Sequence, residues 1–178
     1  MEHRTGKIIV SSVGGTAASG SKTYKVSIPS LWIKEMGIDE NKRNIELMFD
    51  GNGIYITAEK TIEEFVSQKK TMGHQLKKFS FFDDNELCSI ICADFTDETL
   101  KVQNYTDDIV KTAFGNNKLP TWEDFMNFLE ERCIPKERSG IREYLEAIGV
   151  AEYNPLEIIK KTKGKMAEDK QWIEIEEI

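Results

Sequence analysis

The first sixty residues contain four short apolar strand patterns and one small helix, which is too little chain to enclose a hydrophobic core. The strand patterns fall at residues 7–13, 24–28, 45–49 and 54–56, and their apolar side chains recur on one side. Because a second copy of the same module is the simplest cover for these faces, we predict a homodimer with a shared core. The residues expected in that core are Ile8, Val10, Val26, Ile28, Leu47, Phe49 and Ile56.

Turn and capping residues separate these elements. Residues 14–21 are small throughout and rich in glycine, so they predict a loop. Pro29 cannot donate to a strand ladder and ends the second strand, and Ser30 is the expected cap of a short helix that stops before Gly37. Glycine and asparagine at 51–53 predict a tight hairpin turn between the last two strands.

Two stretches of the module carry a family pattern. The first is YKVSIPSLWIKEMGI at residues 24–38, and the second combines IELMFD at 45–50 with GIYI at 53–56. These stretches resemble the AbrB/MazE/SpoVT swapped-hairpin family, whose pattern is a strand ending in Val-x-Ile-Pro, a short helix closed by Leu-Gly-Ile, and a hairpin of two apolar strands. The likeness spans roughly residues 5–58.

The resemblance implies both a fold and a function. Members of this family interleave hairpins from two chains into one small β-barrel. They bind DNA through basic residues on one face, as transition-state regulators or as antitoxins that repress their own operon. The chain departs from the family at the start of the short helix, where only Lys34 is basic. Fewer phosphate partners imply weaker DNA binding with a shallower salt dependence.

The basic residues of the module are the candidate DNA contacts. Residues 1–60 carry eight lysines and arginines against seven aspartates and glutamates, whereas residues 61–178 carry 16 against 24. DNA contact is therefore expected from the first module. Lysines on edge strands can also serve only to prevent aggregation, and spacing alone leaves both interpretations open. The resemblance favours operator DNA, with the contacts Arg4, Lys7, Lys22, Lys25 and Lys34.

The chain after the module predicts a connecting helix and a small sheet. Thr61 and Glu64 form a capping-box pattern at the start of a helix within residues 60–75, which we expect to connect two domains. Three apolar stretches separated by acidic turns then predict an antiparallel meander. Those stretches are residues 78–82, 87–95 and 100–105.

Helical patterns dominate the rest of the chain, at residues 107–113, 121–132, 141–148 and 154–162. The residues from Met166 onward predict a final short strand or an ordered tail. We therefore predict an α+β protein in three parts: a dimeric swapped-hairpin β-barrel module over residues 1–59, a connecting helix over 60–75, and an acidic domain over 76–178 in which a small antiparallel sheet is followed by helices.

Motifs for a metal centre, a catalytic nucleophile or a nucleotide are missing from the sequence. Cys88 and Cys92 are expected on one face of a strand, but a structural zinc site needs four ligands. The acidic clusters at residues 83–86 and 94–98 could surround magnesium, but both fall in predicted turns, where aspartate is common for backbone reasons. We therefore predict no enzyme activity, no cofactor and no metal site. Cys133, His3 and His74 complete the cysteines and histidines of the chain, and they form no metal-binding or catalytic motif either.

Location and function follow from these patterns. No apolar run approaches the ~18 to 20 residues that span a bilayer, and the N-terminus lacks the apolar segment of a signal peptide, so we expect a cytoplasmic protein with no membrane contact. The leading hypothesis is a homodimeric DNA-binding regulator or antitoxin whose acidic rear domain binds a protein partner. The alternative is a mobile-element or phage-encoded inhibitor, similar to an anti-CRISPR protein, that binds a basic nuclease surface and not DNA.

Overall fold

The computed structural model describes residues 2–12 and 22–178, and it is a mixed α+β structure whose sheets are antiparallel. The chain divides into two compact units, Met1–Glu59 and Lys60–Ile178, called the first and second units below. The predicted loop at residues 14–21 lies outside the described residues. Among the described residues, no helix is both long enough and apolar enough to span a bilayer.

The first unit consists of two hairpins and one short helix. Strands β1 (Ile9–Ser12) and β2 (Lys22–Lys25) form one two-stranded sheet, and β3 (Ile45–Phe49) and β4 (Ile54–Ala58) form another. Helix α1 (Ser30–Glu35) lies between them in sequence. Within the described part of this unit the two sheets do not close into a barrel.

Local chemistry accounts for the elements of the first unit. In the β3–β4 turn, Asp50 Oδ1 accepts hydrogen bonds from the backbone N–H groups of Asn52 at 2.9 Å and Gly53 at 2.7 Å, and Gly51 has a φ of +88°. The predicted hairpin turn is therefore present. The prediction that Ser30 caps α1 is wrong, because Ser30 is already helical and Pro29 occupies the capping position without a side-chain hydrogen bond.

The second unit is built on a four-stranded antiparallel sheet. In sequence order its elements are α2 (Ile62–Thr71), β5 (Leu76–Asp83), β6 (Glu86–Asp94), β7 (Thr99–Asn104), α3 (Trp122–Glu131), α4 (Ile141–Ile148), α5 (Pro155–Thr162) and β8 (Gln171–Glu177). The strand order is β7-β6-β5-β8, so the predicted meander is extended by a final strand that pairs with β5. Helix α2, predicted as a connection, belongs to the second unit.

Helices α3, α4 and α5 form the hydrophobic core together with strands of this sheet. Phe79 from β5 meets Phe125 from α3 edge to face, with ring centres 5.0 Å apart, and Phe81 meets Phe128 in the same way at 5.3 Å. The helix predicted at residues 121–132 is present as α3, and its apolar side faces the core. Residues buried with these aromatic rings include Ile91, Leu129, Leu145, Ile158, Ile159 and Ile173.

Two predictions for the second unit are wrong. Residues 107–113 form no helix, because the Asp108 carboxylate accepts a hydrogen bond from the Val110 N–H at 3.1 Å and competes with helical pairing. Cys88 and Cys92 do not share a face, because the pairing of β5 with β6 shifts by one residue at Phe81. This bulge brings Cys88 into the hydrophobic core, whereas Cys92 is buried outside that cluster.

A buried arginine fastens the segment before β8 to α3. Arg132 directly follows α3, and its Nη1 and Nη2 atoms donate to the two carboxylate oxygens of Asp169 at 2.6 Å and 3.0 Å. Its Nε donates to the carbonyl of Gly164 at 3.0 Å, and Nη2 also donates to the carbonyl of Gln171 at 2.8 Å. A guanidinium with its donors satisfied in this way is a structural anchor, because it binds a carboxylate and two backbone carbonyls at once.

Replacing Arg132 with methionine is expected to lower the free energy of unfolding of the second unit by about 2 to 4 kcal/mol. The methionine fills similar volume, but it leaves the Asp169 carboxylate and two backbone carbonyls without their donors. Urea unfolding followed by circular dichroism measures the change. Lys160→Met is the control, since Lys160 pairs with Glu157 on the surface, and equal destabilisation by both substitutions would contradict the role of Arg132.

Candidate functional sites

The five predicted DNA contacts are all exposed, but they lie on three different parts of the first unit. Arg4 and Lys7 precede β1, Lys22 and Lys25 lie in β2, and Lys34 lies in α1. The structure therefore gives them the access to solvent that phosphate contact requires, without gathering all five on one element.

The β1–β2 hairpin places Lys22 and Lys25 on opposite faces. Ile9 pairs with Lys25, whereas Val10 pairs with Tyr24 and Ser12 pairs with Lys22. Because side chains alternate along a strand, Lys22 shares its face with the apolar pair of Val10 and Tyr24, and Lys25 lies on the other face. Lys22 and Lys25 both stay predicted DNA contacts, and this register places them on opposite faces of the hairpin.

Arg4 and Lys7 line a groove beside α1. The guanidinium carbon of Arg4 lies 5.9 Å from the ring centre of Trp32, and the indole N–H of Trp32 donates to Glu2 Oε2 at 2.6 Å. The same groove is lined by Ile28 and Trp32 together with the two basic residues. Stacking on an indole holds a guanidinium by its flat face and leaves its edge N–H groups to bind a phosphate or carboxylate.

The β3–β4 hairpin has one fully apolar face. Its cross-strand pairs are Ile45 with Ala58, Leu47 with Ile56, and Phe49 with Ile54, and all six side chains share a face. Leu47 is 65% exposed and Phe49 is 71% exposed. The opposite face carries Glu46, Met48, Tyr55 and Thr57.

The predicted dimer core is uncovered in the single chain. Among residues 2–12 and 22–59, no residue is buried. Ile8, Val10, Val26, Leu47 and Phe49 are each more than half exposed, and Ile28 and Ile56 are only partly covered. The described part of the first unit therefore has apolar faces but no core of its own.

The first acidic cluster of the second unit is a turn that binds a lysine. Lys111 Nζ lies 3.1 Å from Glu86 Oε2 and 3.1 Å from Asp83 Oδ2, and these hydrogen bonds raise the pKa of Lys111. Asp84 occupies the turn with a φ of +54°. The aspartates here serve the turn and the ion pair, as the turn interpretation of the sequence predicts.

The second acidic cluster centres on Asp94, which is fully buried. Its Oδ2 atom lies 2.7 Å from His74 Nδ1 and 2.8 Å from Lys69 Nζ, and its Oδ1 atom accepts a hydrogen bond from the Thr96 N–H at 2.9 Å. Lys69 Nζ also lies 2.7 Å from Asp97 Oδ2. Sequence analysis missed this network, because Lys69 and His74 come from α2 and the turn after it, more than 20 positions from Asp97.

The Asp94 cluster has the residue types of a metal site, but a lysine side chain is already paired with its carboxylates. His74, Asp94 and Asp97 present ligand atoms within 4.8 Å of one another. The Lys69 ammonium contacts both carboxylates and supplies the positive charge that they face. Burial alone would lower the pKa of Lys69, but its hydrogen bonds to Asp94 and Asp97 outweigh this and raise the pKa. The cluster therefore joins α2 to the end of β6 as an ion-pair network.

The three cysteine thiols are buried and poorly reactive. Burial raises the pKa of Cys92 to about 11 and the pKa of Cys133 to about 12, so both stay protonated at neutral pH. Cys88 is also buried, and burial raises its pKa too. A thiol in this state is neither a good nucleophile nor a ready metal ligand.

The basic run at residues 160–165 is occupied by surface contacts. Lys160 Nζ lies 2.8 Å from Glu157 Oε1. Lys163 Nζ lies 4.8 Å and Lys165 Nζ 5.9 Å from the ring centre of Trp172, which also stacks on the ring of Phe82 at 4.2 Å. These contacts give the lysines a structural role at the end of α5.

No protein-family model, curated protein or solved structure matches this chain. Two features of the described residues therefore define the candidate functional surface. One is the exposed apolar face of the β3–β4 hairpin, and the other is the set of exposed cations around β1, β2 and α1.

Replacing Asp94 with asparagine is expected to destabilise the second unit in a pH-dependent way. Burial would raise the pKa of Asp94, but hydrogen bonds from His74, Lys69 and Thr96 outweigh it and lower the pKa to about 2. Because the folded-state pKa lies below the unfolded value of 3.8, the stabilisation is present above pH 3.8 and is lost as the pH falls to 2. It amounts to at most about 2 kcal/mol.

The measurement is urea unfolding of wild type and Asp94→Asn between pH 2 and pH 6. The difference in free energy of unfolding should be largest at pH 6 and shrink toward pH 2. Asp97→Asn is the control, because the Asp97 side chain is 46% exposed and its loss should cost less. If the difference in free energy of unfolding between the two proteins does not change with pH, the ionised carboxylate of Asp94 is not the source of the stabilisation.

Proposed function

We propose that this chain is a homodimeric DNA-binding protein, a transcriptional regulator or an antitoxin, whose first unit pairs with a second copy and binds operator DNA. The observation that carries the proposal is the absence of any buried residue in the described part of the first unit, despite its apolar sheet faces. The exposed cations of the same unit support contact with phosphate.

The apolar faces favour a second copy as their cover. Burying a large apolar side chain that is otherwise exposed contributes about 1.5 to 3 kcal/mol, and the β3–β4 face alone has four such side chains. An isolated two-stranded hairpin is at best marginally stable in water. Pairing two copies of the unit would cover the same face on each copy, as a twofold interface does.

The β1–β2 register indicates which lysine would contact DNA. If a second copy covers the face that carries Val10 and Tyr24, the face that carries Lys25 and Thr23 points away from it. Lys25 is then available to phosphate on both protomers, whereas Lys22 lies on the covered side.

The second unit supports a different role. It carries 17 lysines and arginines against 24 aspartates and glutamates, a net charge of −7. DNA would be repelled by such a surface on average, whereas a basic protein would be attracted. We therefore assign DNA binding to the first unit and partner binding to the second.

Leu47→Lys is expected to convert a dimer into a monomer. Leu47 lies on the apolar face of the β3–β4 hairpin, where a buried lysine at a shared interface would be strongly unfavourable. Met48→Lys is the matched control, because Met48 is its neighbour, is 62% exposed and points to the opposite face. Light scattering after size-exclusion chromatography gives the mass. A monomeric wild type, or equal loss of dimer in both variants, would contradict the proposal.

Lys25→Ala is expected to weaken DNA binding relative to the wild-type dimer, and by the same factor for every DNA sequence. Each lost phosphate contact reduces the slope of log K against log salt by about 1, so two copies of the substitution should reduce it by about 2. Lys22→Ala, with the same charge change on the other face of β2, should reduce it less. Gel retardation of a fragment from the chain's own promoter over a range of salt concentrations makes the comparison.

If the wild type does not retard DNA at any salt concentration, the regulator hypothesis fails. Salt-sensitive binding to a basic nuclease would then favour the inhibitor alternative. If Lys22→Ala has the larger effect, DNA binding stands but the assignment of the contact face is wrong.

A further inference from the structure

The segment between β7 and α3, residues 105–120, has an unusual combination of fixed backbone and exposed apolar side chains. It forms neither a helix nor a strand. Connections this long without regular structure are uncommon in compact domains and are often functional when they are ordered. We call it the 105–120 loop.

Contacts with the rest of the second unit hold the 105–120 loop in place. At its start, the Tyr105 N–H donates to the carbonyl of Cys88 at 2.8 Å. In its middle, the Ala113 N–H donates to Ser89 Oγ at 3.2 Å, and the ring of Phe114 packs on Phe128 with centres 5.3 Å apart. These contacts fix the backbone by hydrogen bonds and core packing, so its outward side chains are presented in a defined arrangement.

Buried groups also shape the loop from inside. Thr112 is 8% exposed, and its hydroxyl oxygen lies 3.0 Å from the carbonyl of Ile109 and 3.2 Å from the carbonyl of Gly115. The carbonyl of Val110 accepts a hydrogen bond from Gln171 Nε2 at 3.3 Å. The backbone of Val110 is therefore tied to β8 while its side chain points into solvent.

The loop concentrates the exposed apolar side chains of the second unit. Within the second unit, all of which the structure describes, five large apolar residues are prominently exposed, and four of them lie in this loop. Val110 is 78% exposed and Leu119 is 77% exposed, and Tyr105 and Ile109 are about half exposed. The fifth, Met72, lies at the end of α2. Folding gains nothing from exposing these side chains, so their concentration marks an interaction surface.

The charges around the loop indicate the chemistry of its partner. Asp107 and Asp108 are exposed immediately before Ile109. Lys111 does not offset them, because it is already bound between Asp83 and Glu86, and Lys118 is the other cation of the loop. With the −7 net charge of the second unit, the field here attracts positive charge.

We propose that the 105–120 loop is the surface on which the second unit binds a basic, apolar segment of another protein, with Val110 and Leu119 as the apolar anchors and Asp107 and Asp108 as the acidic rim. This proposal rests on the proposed function, since it assigns a surface to the partner-binding role of the second unit. Apolar anchors surrounded by a charged rim are the usual anatomy of a protein interface.

The test uses the full chain and a fluorescently labelled short peptide of alternating leucine and lysine, with binding followed by fluorescence anisotropy. Two reference peptides replace the lysines with glutamate or the leucines with serine. The V110S/L119S double variant removes the anchors, and Met72→Ser is the control for an exposed apolar residue elsewhere. Both anchors are exposed, so the melting temperatures of all variants should match that of the wild type.

We expect the leucine–lysine peptide to bind the wild type and the Met72→Ser variant alike, and to bind V110S/L119S at least about tenfold more weakly. Neutralising the rim with D107N/D108N should weaken binding more than the equal charge change of E143Q/E146Q on α4. Failure of the peptide to bind, binding of the reference peptides as tightly, or equal effects of loop and control substitutions would overturn the proposal.

Retardation of promoter DNA by V110S/L119S separates this proposal from the proposed function. Unchanged retardation with lost peptide binding supports the assignment of separate surfaces. If the wild type binds the peptide through the loop but does not retard DNA, the proposal for the loop is supported and the proposed DNA-binding function is contradicted.

Discussion

The uncovered apolar faces of the first unit are the constraint on which the interpretation of this protein depends. Six side chains of the β3–β4 hairpin share one face, and no other described residue of the unit buries them. Such a surface is unfavourable in water, because each large apolar side chain left exposed loses about 1 kcal/mol or more of the stabilisation that burial would give. The register of this one hairpin, which gathers its large apolar side chains on one face, is the observation from which we propose a dimer.

The second unit buries its apolar side chains in a core of its own, and two buried charged residues hold its segments together. Aromatic rings from β5 and α3 fill its core, while Arg132 holds the segment before β8 and Asp94 joins β6 to α2. Both anchors are charged groups whose buried positions are acceptable only because their hydrogen bonds are satisfied. The packing of the unit therefore does not depend on the exposed side chains of the 105–120 loop.

Sequence analysis predicted the features that depend on neighbouring residues. The capping box that begins α2 at Thr61, the start of the helical pattern of α3 at Thr121 and the β3–β4 turn all arise from patterns a few residues long. The helix predicted at 107–113 failed because a single aspartate side chain, Asp108, replaces helical hydrogen bonding there.

The features that sequence analysis could not provide depend on register or on distant contacts. Lys22 and Lys25 separate onto opposite faces once the pairing of β1 with β2 is known. The bulge at Phe81 turns Cys88 away from the face of Cys92, and the pairing of Lys69 with Asp94 joins segments that only the fold brings together. No local pattern encodes these contacts, because each depends on how two separate segments align.

The pairing of β8 with β5 has a consequence for how the chain is made. Lys77 and Glu177 face each other across this pair although they are 100 positions apart. On the ribosome, β5 emerges long before its edge partner exists, and closing so long a loop is slow. Until Gln171–Glu177 has been synthesised, one side of β5 remains open to pairing with other strands, and Arg132 lacks the carbonyl of Gln171 as an acceptor. Premature termination within this stretch would therefore release a nascent protein prone to aggregation, not merely a slightly shorter one.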